Sequence, residues 1–305
     1  MISRYQYHGL TWVDMESPSK EEILHILEEF SLPTIIGEEM YSATLRSKVD
    51  LYDNNIYLVL HFPTVGKVKS GNTDQEIDFV IGKNYLVTVR YEQIEALKNF
   101  ATHFEVDSKI DRDGLARHAG FLFTSIMKRL YHTSLRELED LTSEIREIEE
   151  RIFKGDEEMM VKHISLTSRR LLDFKQAIRF HEDVLRSYES ASKHFFGEGY
   201  SYYAANTMSE YNKVNSILES SRDILGELQR TNDSLLSTKT NDIMRTFTIM
   251  TFVMIPLSVI TGIFGMNTTS DLIFIQNMKD FYFVIGAMIL VAAVMFLFFR
   301  IRKWL

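Results

Sequence analysis

The sequence predicts an α+β domain, a long helical coiled stalk, and two C-terminal transmembrane helices. Three observations carry this expectation. Two uncharged apolar stretches, 246–264 and 281–299, match the roughly 20 residues that cross a bilayer core as helix. Apolar residues at helical spacing run almost unbroken from about 114 to 264. Ahead of them, short apolar runs alternate with turn sequences, the pattern of a small sheet. The layout divides into a cytoplasmic α/β domain (1–110), a long antiparallel helical hairpin (111–199), and a stalk helix continuing into the membrane (200–245). A first transmembrane helix (246–264), an external loop (265–280), a second transmembrane helix (281–299) and a basic cytoplasmic tail (300–305) complete it.

In the first domain, 4–13 alternates loosely and suits a strand. Ser17-Pro18-Ser19-Lys20-Glu21-Glu22 reads as a helix start, with Ser17 as N-cap, Pro18 at the first helical position and acids in the first turn. The runs 45–52 and 56–62 flank Asp53-Asn54-Asn55 and make a hairpin; 77–81 and 85–89 repeat the device across Gly82-Lys83-Asn84. The resulting sheet is expected to be mostly antiparallel. Beyond it, 115–152 reads as one amphipathic helix, with Glu and Arg interleaved as i,i+4 pairs along 136–151. Gly155-Asp156 breaks it, and a second long helix is expected over 157–194. A third begins near Tyr200 and continues past Val214, Leu218, Leu225, Leu228 and Leu235 into the bilayer. Pro256 is tolerable there, because neighbouring helices can satisfy the freed carbonyl.

Composition excludes several classes. The net charge of −8 argues against nucleic acid, which is held by basic surfaces. With no cysteine, disulfides and thiolate metal sites are excluded. Nine histidines are scattered without ligand spacing, and no Gly-rich phosphate loop, nucleophile elbow or catalytic triad is arguable, so no enzyme is expected. The N-terminal run Met1-Ile2-Ser3-Arg4-Tyr5 is not apolar, so no signal peptide is expected and the first 240 residues should stay in the cytoplasm. Mean hydropathy is −0.10 only because this polar front dilutes an apolar end. Lys239 and Arg245 precede the first span, while Arg300, Arg302 and Lys303 follow the second. That bias places both termini inside a plasma (inner) membrane and 265–280 outside. Trp304 suits an interfacial anchor.

On the first span, Asn241, Met244, Thr248, Thr251, Ile255, Ser258 and Gly262 step by three or four and share a face. The opposite face carries Ile249, Phe252, Val253, Ile260 and Phe264. A stripe of polar and small residues serves either close helix packing or the lining of a water-filled path. The Ser258 hydroxyl can alternatively bond back to its own helix. Tyr200, Tyr202 and Tyr203 read as packing. The stripe ends at Gly265-Met266-Asn267, in a loop too short to fold alone, so a polar Asn267 is held at one membrane face.

Here the chain resembles the CorA-type magnesium channel family. Gly265-Met266-Asn267 matches its signature tripeptide, supported by Asn241-Asp242-Ile243-Met244-Arg245, Pro256-Leu257, Thr261-Gly262-Ile263-Phe264 and Arg302-Lys303-Trp304-Leu305. The resemblance implies a funnel-shaped homopentamer with a pore lined by five first spans. It implies that Gly265, Met266 and Asn267 form the selectivity filter and that Asn267 and Asn241 hold the ion through its waters. Met244 and Ile255 would be hydrophobic constrictions, and Ser258 a second polar ring. Mg²⁺ is the expected cargo, with Co²⁺, Ni²⁺ and Zn²⁺ as further candidates; no resident cofactor is expected. The expected partners are further copies of the chain, the lipid bilayer and divalent cations. Two departures stand out. The loop continues Thr268-Thr269-Ser270-Asp271, without the family's Met-Pro-Glu segment, and Asp271 is a candidate replacement. Asn206 stands where a regulatory Asp is expected on the stalk, leaving Glu210 as the alternative. A zinc or cobalt transporter of the same superfamily, or a membrane-anchored scaffold or sensor, remain the competing readings.

Overall fold

The computed structural model describes residues 1–44, 46–64, 74–107, 118–265, 278–302 and 304, leaving aside the side chains of 103, 105–107 and 278–280. Two compact units emerge, Met1–Gln229 and Arg230–Leu305.

The first unit is built on a six-stranded sheet in the order β1-β2-β6-β5-β4-β3. Its strands are β1 (Ile2–Tyr7), β2 (Leu10–Glu16), β3 (Lys48–Leu51), β4 (Ile56–Pro63), β5 (Asp74–Ile81) and β6 (Tyr85–Arg90). All neighbours are antiparallel except β2 and β6, which run parallel. The expected single strand over 4–13 is instead a hairpin. His8 and Gly9 both take positive φ, 46° and 82°, and a two-residue turn of this kind reverses a right-twisted chain cleanly. Every residue of β4 is buried, so its side chains run continuously apolar apart from His61, as befits a central strand covered on both faces.

Helices α1 (Lys20–Glu29) and α2 (Thr34–Glu39) cover one face. There Ile23, Ile26, Leu27 and Ile36 join Val13, Tyr57, Val59, Val80, Val87 and Val89 in one core. The cap of α1 corrects the sequence expectation. Ser19 is the N-cap and forms a capping box with Glu22, while Ser17 sits at φ 42° and Pro18 lies outside the helix. Glu three residues after Ser19 was the deciding signal.

The other face receives α3 (Glu95–Asp107) and α4 (Ala119–Phe153). Trp12 meets Phe100 and Phe104 of α3, and Phe79 meets Phe123 of α4 edge-on at 5.2 Å. The α4 helix then turns at Gly155, whose φ of 98° favours glycine. Helix α5 (Glu157–Ala177) returns antiparallel, so that Arg170 near its C-terminal end reaches both Glu144 and Glu137. The expected second helix over 157–194 is in fact two. The chain breaks at Ile178–Phe180, and α6 (His181–Phe196) starts with a buried histidine. The His181 Nε2–H donates to the His61 carbonyl at 2.7 Å, and the Tyr131 hydroxyl lies 2.9 Å from Nδ1. Burial holds the ring neutral, pushing its pKa down to about 3 against the smaller opposing effect of the bond to the His61 carbonyl. The break thus lets one ring join sheet, α4 and α6. Because α4 and α6 pack directly on strands, the sheet and the helical hairpin share one compact unit.

A short 3-10 turn, Glu198–Tyr200, leads into α7 (Ser201–Gly265), which is 65 residues long. At 1.5 Å per residue this is roughly 100 Å of continuous helix. Ala204, Thr207, Tyr211, Val214, Leu218, Ser221, Leu225 and Leu228 are its buried face within the first unit. Pro256 lies inside it without ending it. The second unit comprises the rest of α7 and α8 (Met278–Ile301).

Candidate functional site

The candidate site is the C-terminal part of α7. Both α7 and α8 contain stretches long and apolar enough to cross a membrane. The seven stripe residues lie on continuous helix from Asn241 to Gly262, a rise of roughly 30 Å, about the thickness of a hydrocarbon core. Asn241, Met244, Thr251, Ile255, Ser258 and Gly262 are exposed, and Thr248 is half-buried. Of the opposite face, Ile249, Val253 and Ile260 are half-buried and Phe252 and Phe264 exposed; the neighbouring Pro256 and Leu257 are also half-buried. The apolar side therefore carries more of the intramolecular packing, and the polar and small side is left open. Between the two explanations of such a stripe, this distribution disfavours packing against the chain's own second span.

The hydroxyls on the stripe are not equivalent. Thr248 donates to the Met244 carbonyl at 2.8 Å and Thr251 to the Phe247 carbonyl at 2.9 Å. Those bonds turn each hydroxyl onto its own helix, the alternative weighed for Ser258. Among the described residues Ser258 makes no such bond; Thr261 donates to its carbonyl instead. Ser258 is thus the stripe hydroxyl with free donor capacity.

Gly265 ends α7. Met266 and Asn267, with which it would make the filter, lie outside the described residues, as does Asp271. Of the positions considered for regulation, Asn206 is exposed and Glu210 is half-buried, paired with Lys213 at 2.9 Å. Among the described residues no group of three or more His, Asp or Glu side chains is arranged to hold a metal ion.

Sequence reasoning missed how the membrane-proximal ends meet. After α8, the Trp304 N–H donates to the Phe299 carbonyl at 3.0 Å and the Arg302 N–H to the Phe298 carbonyl at 3.1 Å, closing the helix end. The turn stacks the Trp304 ring on Phe299, and Arg245 of α7 lies 5.9 Å from the centre of the indole. Phe252 of α7 contacts Phe299 edge-on. A tryptophan three residues past a helix end, facing an arginine on the preceding span, was the available signal.

Two helices long and apolar enough to cross a membrane, following a sheet-and-helix unit in the sequence, are the layout of an integral membrane protein with a large extramembrane domain. The chain belongs to the family described as CorA-like Mg2+ transporter protein, whose family model matches residues 7–303. A cobalt/magnesium transport protein CorA from Thermotoga maritima is 22% identical over 300 residues, covering 97% of this chain and 83% of its own. Its namesake from Methanocaldococcus jannaschii is 24% identical over 306 residues, covering 99% and 93%. The complete structure of the CorA magnesium transporter from that archaeon superposes with a TM-score of 0.83 at 20% identity, covering 100% of this chain and 94% of that one. The cytoplasmic domain of ZntB from Vibrio parahaemolyticus shares the fold over 77% of this chain with a TM-score of 0.63.

Proposed function

We propose that this chain conducts divalent cations, Mg²⁺ first and Co²⁺ second, down their electrochemical gradient through a pore made by a homopentamer. The carrying observation is that the family match runs through both apolar helices to residue 303, while the polar stripe of α7 stays open in the single chain. A tether for a scaffold or sensor would need no such stripe. The names of the relatives favour magnesium and cobalt over zinc.

Two helices cannot enclose a water path, so copies of α7 must assemble around an axis, and cyclic symmetry is the ordinary solution. Five Asn267 carboxamides would then ring the outer mouth, beside Gly265 and Met266. Mg²⁺ demands octahedral oxygen and sheds water reluctantly. Carboxamide oxygens can hold the hydrated ion through its waters, without the deep trap that five carboxylates would set. Asn241 supplies the inner polar ring. Met244 and Ile255 narrow the path with apolar side chains that gate by dewetting. With both termini in the cytoplasm, entry is driven inward by the membrane potential. Each charge gains about 2.3 kcal/mol per 100 mV, and a divalent ion counts twice. The ion is cargo; the reading includes no resident cofactor and no catalysed reaction.

Growth of a magnesium-uptake-deficient strain at low Mg²⁺ tests this reading. The wild-type chain rescues growth, and Asn267→Ala abolishes rescue while still reaching the membrane. Equal rescue by Asn267→Ala removes the proposed filter.

A further inference from the structure

A groove of about 530 Å³ opens between α7 and α8 at the Arg302 end of the hairpin. Among the described residues its walls are Phe252, Met295, Phe298, Phe299 and Trp304, and Arg302 is its one charged lining residue. That volume falls within the ~300–1,000 Å³ range of small-molecule sites. Phe299 is its buried floor, at 5% exposure, while Phe252, Phe298 and Trp304 stay open to the side at 54%, 51% and 45%.

The groove lies between two apolar helices, and its apolar walls suit hydrocarbon. Its mouth, however, is cationic. Arg302 lies 5.9 Å over the Phe298 ring, Arg245 an equal distance over Trp304, and Arg300 lies in the last turn of α8. The acid nearest in sequence is Asp242, one helical turn before Arg245. An apolar trough ending in guanidinium groups and an indole matches a molecule with an acyl chain and an anionic phosphate head. Arginines and tryptophan at a span's end are placed where headgroups lie, and basic pockets between spans are suited to anionic lipids. We propose that this groove is a binding site for an anionic phospholipid. The acyl chain lies along Phe252, Met295 and Phe299, and the phosphate accepts hydrogen bonds from Arg302. A zwitterionic lipid fits the trough equally well but carries a cationic choline that Arg302 repels.

The proposal depends on membrane insertion of α8 and is independent of ion transport, so it is tested without flux. Native mass spectrometry of the full chain in detergent, titrated with phosphatidylglycerol or phosphatidylcholine, reads it directly. Both heads offer a phosphate to Arg302, but only choline adds a cation beside the Arg302 and Arg245 guanidinium groups, so phosphatidylglycerol is expected to be retained about tenfold more tightly. Arg302→Gln should abolish that preference, and Arg302→Lys should keep part of it. Met295→Trp, which fills the trough, should lower retention of both lipids. Equal retention of the two lipids by wild type, or a preference that survives Arg302→Gln, overturns the proposal. Because the chain has no cysteine, Met295→Cys offers a further check. Efficient disulfide formation between copies would mean that another subunit covers the groove, and would overturn it equally.

Discussion

His61 and Asp78 are where single residues set a measurable property of the soluble unit. His61 Nε2 lies 3.0 Å from Glu76 and 2.9 Å from the Thr44 carbonyl, and Nδ1 lies 3.0 Å from the Ser47 hydroxyl. Glu76 also accepts from the Thr44 backbone, so the ring and the carboxylate together fasten the 44–47 segment to the sheet. Burial alone would push the imidazole pKa down; the bonds to Glu76 and Thr44 outweigh it and hold the value above the usual 6.5. Asp78, fully buried beside Glu76 and accepting from the Tyr57 and Tyr91 hydroxyls, is pushed well above the carboxylate range, first by burial. Lys48 and Asp50 on β3, Glu39 at the end of α2, Arg46 and Asp74 are further charges of this region. Both pKa values are raised on folding, so both contributions are complete below the unfolded values and fade as pH rises through the folded ones. The thermal midpoint of the soluble unit in the full chain should therefore fall as pH rises above about 6.5. His61→Gln should flatten that slope, and Asp78→Asn should leave stability at pH 8 equal or higher. A midpoint that rises with pH over that window contradicts the assignment.

At the scale of elements, what could be read depended on whether the signal was local. Ile56–Pro63, the α4–α5 reversal at Gly155 and the long α7 were legible because periodicity and turn residues lie within a few positions. The break at Ile178–Phe180 was not. No Gly or Pro marks it, and the cause is tertiary, namely the bonds of His181 to β4 and α4. The polar stripe of α7 could be listed from spacing, yet spacing could not say which face α8 leaves open or which hydroxyls are already spent. Two predictions follow from those bonds. Thr251→Val should conduct like wild type because its hydroxyl is bonded to Phe247. Ser258→Ala should lose about 2- to 10-fold in ion flux, the worth of one neutral hydrogen bond. An equal loss in both variants, measured as initial uptake in liposomes, would mean the back-bond does not set the role. In the soluble unit, Gly155→Val forces a branched side chain to φ 98° and should cost about 1–3 kcal/mol in denaturant unfolding.

For the whole molecule, a transporter family is joined to a chain whose site is incomplete alone. Among the described residues, the α7 stripe has one open face and no second wall. In the proposed homopentamer five copies would supply the wall, and native mass spectrometry in detergent should give five chains per particle; a monomer or dimer would leave no conduit. On the proposed reading, selectivity would then rest on Asn267 amides from every copy meeting at one mouth. The most direct measurement is competitive Mg²⁺ and Zn²⁺ uptake into liposomes carrying wild type or Asn267→Ala. Wild type should admit Mg²⁺ in preference and increase its rate when the inside is made negative, and Asn267→Ala should lose that preference or the flux altogether. Unchanged selectivity and rate in Asn267→Ala would contradict the account.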